Sequence, residues 1–379
     1  MSFSTAKLVD RLGGGLVHRL LRPARAWRDW RASDRPLGTV RELVVVKFWG
    51  VGNAALLLPV LARLRQRFPA ARLTMVTLAG NEPVYRDAVD RVLTVRADPI
   101  PGAIRDLARV TWTLRRDRVD LALDMEQFVR ASQAMLFLAR ARQVVAFDTP
   151  GLDRASLADV RVPYDDGQHM AEGFLDIARA VGVDPSRYRP GGGVARGRAP
   201  LRRDGRPIAV LHPGSGDNFI GRRWPTRRFG LLARNLVESG AQVVVTGTRD
   251  ERALAREVVE VAGVPVVDLS GRLDLDTLSS LLAEAHVLVS NDTGPVHLAG
   301  ALGTPVVALY GPNTPRLYGP LGPNSRAFYA PPPCSPCITN FNYKTSRCLL
   351  PVCMHVLGVD EVAAAARARL SLARAERSG

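Results

Sequence analysis

Short β-rich runs that stop at polar, glycine-bearing loops recur in two successive series, and this rhythm limits the fold more than any other feature of the chain. In the first series "ELVVVKF" (42–48) leads through a glycine loop into an apolar helical stretch ending at Arg67. "RLTMVTL" near Thr74, "VDLALDM" near Leu121 and "RQVVAFD" near Val144 repeat the strand signal, with helical patterns between them. The second series runs "PIAVLHPGSG", then "AQVVVTGTRDERALAREVVEVAG" with a helix ending at Gly263, then "VPVVDLSG" and "AHVLVSNDTGPVHLAGALGTPVVALYGP". Strand, helix, strand in repetition predicts parallel sheets with helices on both faces. "RPGGGVARGRAPLRRDGRP" separates the series and reads as a linker. The expected division is a basic segment 1–36, a doubly wound domain 37–190, a linker 191–206 and a second doubly wound domain 207–379. Two such domains would face each other across a cleft. Ligands in these sheets bind outside the carboxyl ends of the strands, so the functional loops fall at 50–53, 212–223, 247–251 and 291–297.

The 379 residues suffice for two domains, and a hydrophobic fraction of 46% lets each bury a core. The longest apolar stretch, 43–64, is broken by Lys47, Asn53 and Arg63, so it predicts strand, loop and helix and not a membrane span. No apolar core follows Met1 as in a secretory signal. The net charge of +16 attracts polyanions: nucleic acid, anionic lipid or phosphorylated glycan. With no base-reading motif, nucleic acid ranks last. In "KLVDRLGGGLVHRLLRPARAWRDWR", Leu16, Val17, Leu20 and Leu21 fall at helical spacing, and Trp27 and Trp30 lie among arginines. Such a segment suits an anionic membrane surface. A basic tail, or a helix packed on its own domain, is the alternative. Gly13, Gly14 and Gly15 would interrupt a long helix here.

All 4 cysteines lie in "CSPCITNFNYKTSRCLLPVC": Cys334, Cys337, Cys348 and Cys353. Two short pairs separated by a polar loop are the spacing of a four-thiolate metal site, in zinc or iron. Two disulfides or idle thiols are the alternatives, and nothing in the sequence indicates an oxidising compartment. No acid or imidazole is interleaved, so the site is expected to be structural. His355 lies just outside and is a substitute ligand.

The loops carry the remaining chemistry. After strand "HVLVS", the Asp292–Thr293–Gly294 turn leads into a helix with Pro295 in its first turn and His297 further on. A helix start with a hydroxyl beside it favours phosphate, although Asp292 can equally serve as a helix cap. In "HPGSGDNFIGRRWP", Ser215 and the backbones of Gly214 and Gly216 are candidates for phosphate oxygens, and Arg222 and Arg223 for a diphosphate. Glu251, early in the helix after "VVVTG", is placed to accept from ribose hydroxyls, or is simply a surface acid at a helix start. No G-x-G-x-x-G follows a first strand and no G-x-x-x-x-G-K-[ST] occurs, which argues against a dehydrogenase and a P-loop ATPase.

These residues resemble glycosyltransferase family 9, the ADP-heptose heptosyltransferases, over about 41–362. The most specific part is "NDTGPVHLAGALGTPVVALYGPNTP"; "VVVKFWGVGNAALLLPVLARLRQRFPAARL", "LHPGSG…RRWP" and "GTRDERAL" resemble the family's other segments. The resemblance implies a GT-B fold of two Rossmann-like domains and inverting transfer from an ADP-activated sugar without a catalytic metal. It implies a lipopolysaccharide-type acceptor at the cytoplasmic face of the inner membrane, where the protein would sit peripherally. Ser215 and Arg222 would contact the diphosphate and Glu251 the ribose. Asp292, Thr293, Gly294 and His297 would line the phosphate and sugar pocket. Cysteine clusters of the C-S-P-C type occur in some members and bind iron in those that modify autotransporter proteins. One departure concerns the base: where the family's first loop ends in Gly-Asp, this chain has Gly52–Asn53. An amide orients a hydroxyl but takes no proton at neutral pH. By strand-end position, Asp124 and Glu126 in "LDMEQF" become the candidate bases, or the transfer relies on positioning and diphosphate stabilisation. A non-catalytic nucleotide-sugar binding or assembly protein, and a protein heptosyltransferase, are the alternative functions.

Overall fold

The computed structural model describes residues 15–31, 38–184, 186–216, 219–322, 324–342 and 345–378, with the side chains of 16, 26–31 and 372–378 excepted. The glycine pair 13–14 and the tryptophans expected to meet lipid lie outside what is described. The chain divides into two compact units, one holding residues up to Gly50 with Leu57–Tyr188, the other Val51–Leu56 with Arg189–Gly379.

In the first unit, β1 (Glu42–Val46), β2 (Arg72–Leu78), β3 (Arg91–Val95), β4 (Leu121–Asp124), β5 (Gln143–Asp148) and β6 (Val160–Pro163) form a sheet in the order β3-β2-β1-β4-β5-β6. Every pair is parallel, with Val44 opposite Thr74 on one side and Ala122 on the other. Helices α2 (Val51–Arg67), α3 (Ile100–Asp117), α4 (Ala131–Leu138) and α5 (Met170–Arg179) cover it. Leu43–Val46 are buried on both faces, which explains why β1 is apolar without alternation.

The sequence reading missed the strands at the sheet edges. β3 and β6 carry half-exposed or exposed residues and no continuous apolar run, because only one neighbour shields them. Part of the N-terminal segment is described: helix α1 (Gly15–Arg31) packs on α4 and the turn at Arg154–Leu157. His18 is buried there, bonded to Ser156 Oγ at 3.2 Å and the Arg130 carbonyl at 3.0 Å. Arg25 reaches the Leu157 carbonyl at 3.1 Å and Asp159 at 2.8 Å.

The second unit repeats the design. β7 (Ile208–His212), β8 (Gln242–Val245), β9 (Val267–Asp268), β10 (Val287–Asn291), β11 (Val306–Tyr310) and β12 (Arg326–Tyr329) form a parallel sheet ordered β12-β11-β10-β7-β8-β9. Its longer helices are α6 (Thr226–Glu238), α7 (Arg252–Ala262), α8 (Leu275–Glu284), α9 (Gly294–Ala301) and a C-terminal α10 (Val359–Ser378) that the strand–helix rhythm did not reveal. α10 lays Val362, Ala363, Ala366 and Leu370 into the core around Trp224 and Phe229. The Gly/Pro/Arg-rich segment read as a linker runs along this unit. Gly193 N–H donates to the Ala301 carbonyl at 3.1 Å, Ser280 Oγ to the Arg196 carbonyl, and Gln242 Nε2 to the Arg202 carbonyl at 2.7 Å.

Candidate active site

In the second sheet the winding reverses between β7 and β10, which lie side by side. Such a reversal opens a ligand crevice beyond the carboxyl ends of the two strands. Two loops rise there, one after His212 and one after Asn291, and buried polar side chains join them.

Asn291 makes the first link. Its Nδ2 donates to the carbonyls of Pro213 at 2.8 Å and Gly214 at 3.2 Å, and its Oδ1 accepts from Trp224 N–H at 2.9 Å. Arg222 makes the second: Nη1 donates to the Asp292 carbonyl at 3.0 Å and Nη2 to the Ser215 carbonyl. Its Nη1 also stands 3.8 Å from Asp292 Oδ2. Arg222, predicted to meet a diphosphate, is thus 8% exposed and holds the loops on either side of the crevice together. Arg223 reaches Ser215 Oγ at 3.2 Å.

Asp292 is not the helix cap that its position also allowed. Its Oδ2 accepts from Asn313 Nδ2 at 2.7 Å, in the loop after β11. The N-cap of α9 is Thr293, whose hydroxyl lies 3.2 Å from Ser290 Oγ, and no side chain caps the helix. The α9 amino terminus therefore presents the backbone N–H groups of Gly294 and of the residues after Pro295, which has none, as an anion-binding surface. His297 follows, buried, with its ring edge-on to Tyr318 at 6.3 Å. Residues 51–56 belong to this unit, and here Gly52 packs on the histidine: a Cβ at Gly52 would lie 2.6 Å from His297 Cδ2. Asn53, next in the chain, is half-buried in the first turn of α2.

Glu251 is more committed than its sequence position indicated. It closes a capping box with Thr248, Oε2 accepting from Thr248 N–H at 2.9 Å and Oγ1 at 3.0 Å. Oε1 accepts from the N–H groups of Ser215 at 3.0 Å and Gly216 at 3.1 Å. Of the two glycine backbones expected to cradle phosphate, that of Gly216 is thus met by this carboxylate, together with that of Ser215. Gly214 must be glycine, since a Cβ would stand 2.2 Å from the Glu251 carboxyl carbon. Burial pushes Glu251 up, but hydrogen bonds from Thr248 and Gly216 and the nearby His212 outweigh it and hold the group below its ordinary value. Burial pushes His212 down, against the pull of Glu251.

Asp124 and Glu126 lie in the first unit, and both are buried, at 0% and 2% exposure. Asp124 forms an ion pair with the fully buried Arg154 and accepts from Ser132 Oγ at 2.9 Å and Glu126 N–H at 3.1 Å. Glu126 accepts from Lys47 Nζ at 3.1 Å and from the N–H groups of Phe48 at 2.6 Å and Trp49 at 3.1 Å. Burial pushes Lys47 down, and Glu126 opposes it. As candidate bases the two carboxylates are poorly placed. Glu126 fastens the end of β1 to the loop after β4, and Asp124 ties the end of β4 to Ser132 and Arg154, partners that strand-end position alone does not reveal.

The cysteines form no disulfide; Cys334 and Cys348 are exposed, Cys337 is half-buried and Cys353 is buried. Burial pushes the Cys353 thiol up, and the thiols of Cys337 and Cys348 push it further. Among the described residues, no three His, Cys, Asp or Glu side chains are grouped so as to hold a metal ion. The donor set itself, thiols with no interleaved acid, suits zinc or iron.

A family model described as glycosyltransferase family 9 (heptosyltransferase) matches residues 107–345, more than half of the chain. The chain belongs to glycosyltransferase family 9. Lipopolysaccharide heptosyltransferase 1 of Pseudomonas aeruginosa is 26% identical over 322 residues, covering 78% of this chain and 86% of that protein. Lipopolysaccharide heptosyltransferase 2 of Escherichia coli K12 is 33% identical over 125 residues, so this family 9 chain spans only 36% of that relative in the match. The solved structure of E. coli ADP-heptose lipopolysaccharide heptosyltransferase II superposes with a TM-score of 0.71 at 22% identity, covering 88% of this chain and 99% of that one. That likeness places the fold in the GT-B class, with two doubly wound α/β units.

Proposed function

We propose that the chain transfers heptose from an ADP-activated donor to a lipopolysaccharide-type or other cell-surface glycan, with inversion at the anomeric carbon. The observation that carries this reading is the donor site of the second unit. The loops after β7 and β10 are clasped by Arg222 and Asn291 around the uncapped amino terminus of α9. The diphosphate would rest on the Thr293–Gly294 backbone, with the Arg222 and Arg223 guanidiniums neutralising charge as the sugar leaves. His297 would line the sugar pocket, and Glu251 would position the loop from beneath while facing the ribose. The acceptor oxygen bonds to the anomeric carbon as the bond to the diphosphate breaks. Asn53 would orient that hydroxyl through its amide oxygen, and the proton would pass to water. Asp124 and Glu126, occupied by Arg154 and Lys47, would take no part.

Asn53 and the committed carboxylates also favour a second reading, a nucleotide-sugar binding protein without turnover. Calorimetric titration with ADP, UDP and GDP, beside ADP release from ADP-heptose in the presence of a membrane glycolipid extract or a protein acceptor, separates the two. ADP-selective binding with acceptor-dependent release is expected. Binding without release on any acceptor would leave the second reading, and no nucleotide binding would remove both. No helix among the described residues is long and apolar enough to cross a membrane. The protein would sit on the anionic cytoplasmic face of the inner membrane through its basic N-terminal segment. Cys334, Cys337, Cys348 and Cys353 would hold a structural zinc or iron that ties down their loop.

A further inference from the structure

We propose that the helical layer α1–α3–α4 of the first unit is a docking surface for an anionic lipid bilayer. This rests on the membrane location argued above and goes further, naming the face and the side chains that insert.

The topology gathers these helices. The connections β3→β4 and β4→β5 cross the sheet in the direction opposite to β1→β2→β3, so right-handed crossovers put α3 and α4 on one face. α3 packs on α4, and α1 packs on α4 as well. Among the described residues of the first unit, the exposed large hydrophobic side chains are Val17, Leu20, Ile104, Trp112 and Leu138. All five lie on α1, α3 or α4, and none lies on α2 or α5 or in a loop. A monomer scatters such residues over its surface; here one layer holds them.

Their chemistry selects the occupant. On α3, Ile104 and Trp112 are 62% and 60% exposed and stand eight positions apart, which puts them on one stripe of the helix. Arg105, Arg115 and Arg116 are exposed around them, and the Arg116 guanidinium lies 4.6 Å from the Trp112 ring centroid. The acids of this helix are engaged elsewhere: Asp106 with Arg96 at 2.8 Å, and Asp117 with Arg91 at 2.5 Å. On α1, exposed Arg19 and Arg22 flank Val17 and Leu20, Arg22 being ion-paired with Asp153. Isolated apolar side chains set among arginines match a headgroup layer, where tryptophan sits at the interface and each guanidinium meets lipid phosphate. A second copy of the chain would press arginine against arginine. A nucleic acid would satisfy the arginines and leave Ile104, Leu20 and Leu138 without a partner.

The test is flotation of nuclease-treated protein with phosphatidylglycerol-containing vesicles and with pure phosphatidylcholine vesicles. ADP affinity and solution mass are measured on the same preparations. Wild type should float with the anionic vesicles only. Trp112→Glu combined with Ile104→Glu should lower partitioning about tenfold or more with ADP affinity unchanged, and Leu20→Glu on α1 should lower it independently. Undiminished flotation of both variants would overturn the proposal, as would a wild type that binds no anionic vesicle. Vesicle retention that vanishes with nuclease would assign the face to nucleic acid. A drop in solution mass in the variants without lipid would assign it to a second copy. Loss of ADP binding in wild type would strike the donor reading alone, because flotation does not depend on it.

Discussion

Glu251 satisfies four donors with two oxygens, and this explains why residues 214–216 can turn so tightly over it. Glutamine keeps one acceptor oxygen and turns an NH2 toward N–H groups, so Glu251→Gln sets donor against donor. The cost expected is about 1–3 kcal/mol, read as a lower urea midpoint at neutral pH. Because the folded carboxyl titrates below its ordinary 4.5, its contribution is complete above that value and is lost as the pH falls through the folded-state value. The gap between wild type and Glu251→Gln should therefore close under acid conditions; a gap constant with pH would show that the carboxylate's charge is not what stabilises the loop. At Asn53 the expectation is a gain. Asn53→Asp restores a proton acceptor beside Gly52 and should raise kcat by about a hundredfold or more, with KM little changed. Equal rates in the two proteins would mean that proton removal is not limiting. Side-chain identity made these residues visible in sequence, but not their partners. Asn291 and Asn313 escaped notice because a buried amide joining two loops has no local pattern, and Asp124 and Glu126 looked available because Arg154 and Lys47 lie far from them in the chain.

At the scale of elements, central strands were legible, whereas of the four edge strands only β9, in "VPVVDLSG", was read. β1, β7 and β10 are buried on both faces over "LVVV", "IAVL" and "VLV" and so read as apolar runs, whereas β12, with the pattern "RAFY", is half-open to solvent. α10 escaped because alanine and arginine dominate it, and its small buried face carries little signal. The cysteine segment announced itself by spacing, yet what it touches came only from the structure. Cys337 and Ile338 N–H donate to the Pro312 carbonyl at 2.9 and 3.0 Å, and a Cβ at Gly311 would stand 2.8 Å from Cys353 Sγ. Asn313, which follows Pro312, holds Asp292. The segment thus braces the loop that positions one wall of the donor site. Cys337→Ser should lose bound metal and weaken ADP binding by no more than about tenfold, or 1.4 kcal/mol, and Asn313→Ala should weaken it similarly without losing metal. A full metal load in Cys337→Ser would remove the cysteines from the metal assignment.

Each unit of the whole molecule carries its own six-stranded parallel sheet and its own buried core. The residues assigned to the nucleotide, from Ser215 to His297, all come from the second. A ligand that binds only the folded form of a unit stabilises that unit by mass action, about 2.7 kcal/mol at a hundredfold excess over Kd. That corresponds to roughly a hundredfold slowing of exchange for amides that open only when the unit unfolds. Saturating ADP should therefore protect the amides of β7, β10 and α9 most strongly, and those of β1 and β4 least. Arg222→Ala should abolish the difference, because it removes both the clasp between Ser215 and Asp292 and the charge facing the diphosphate. Hydrogen exchange followed by mass spectrometry reads both units in one experiment. Protection centred on β1 and β4, or none in β7 and β10, would place the nucleotide outside the loops to which it is assigned.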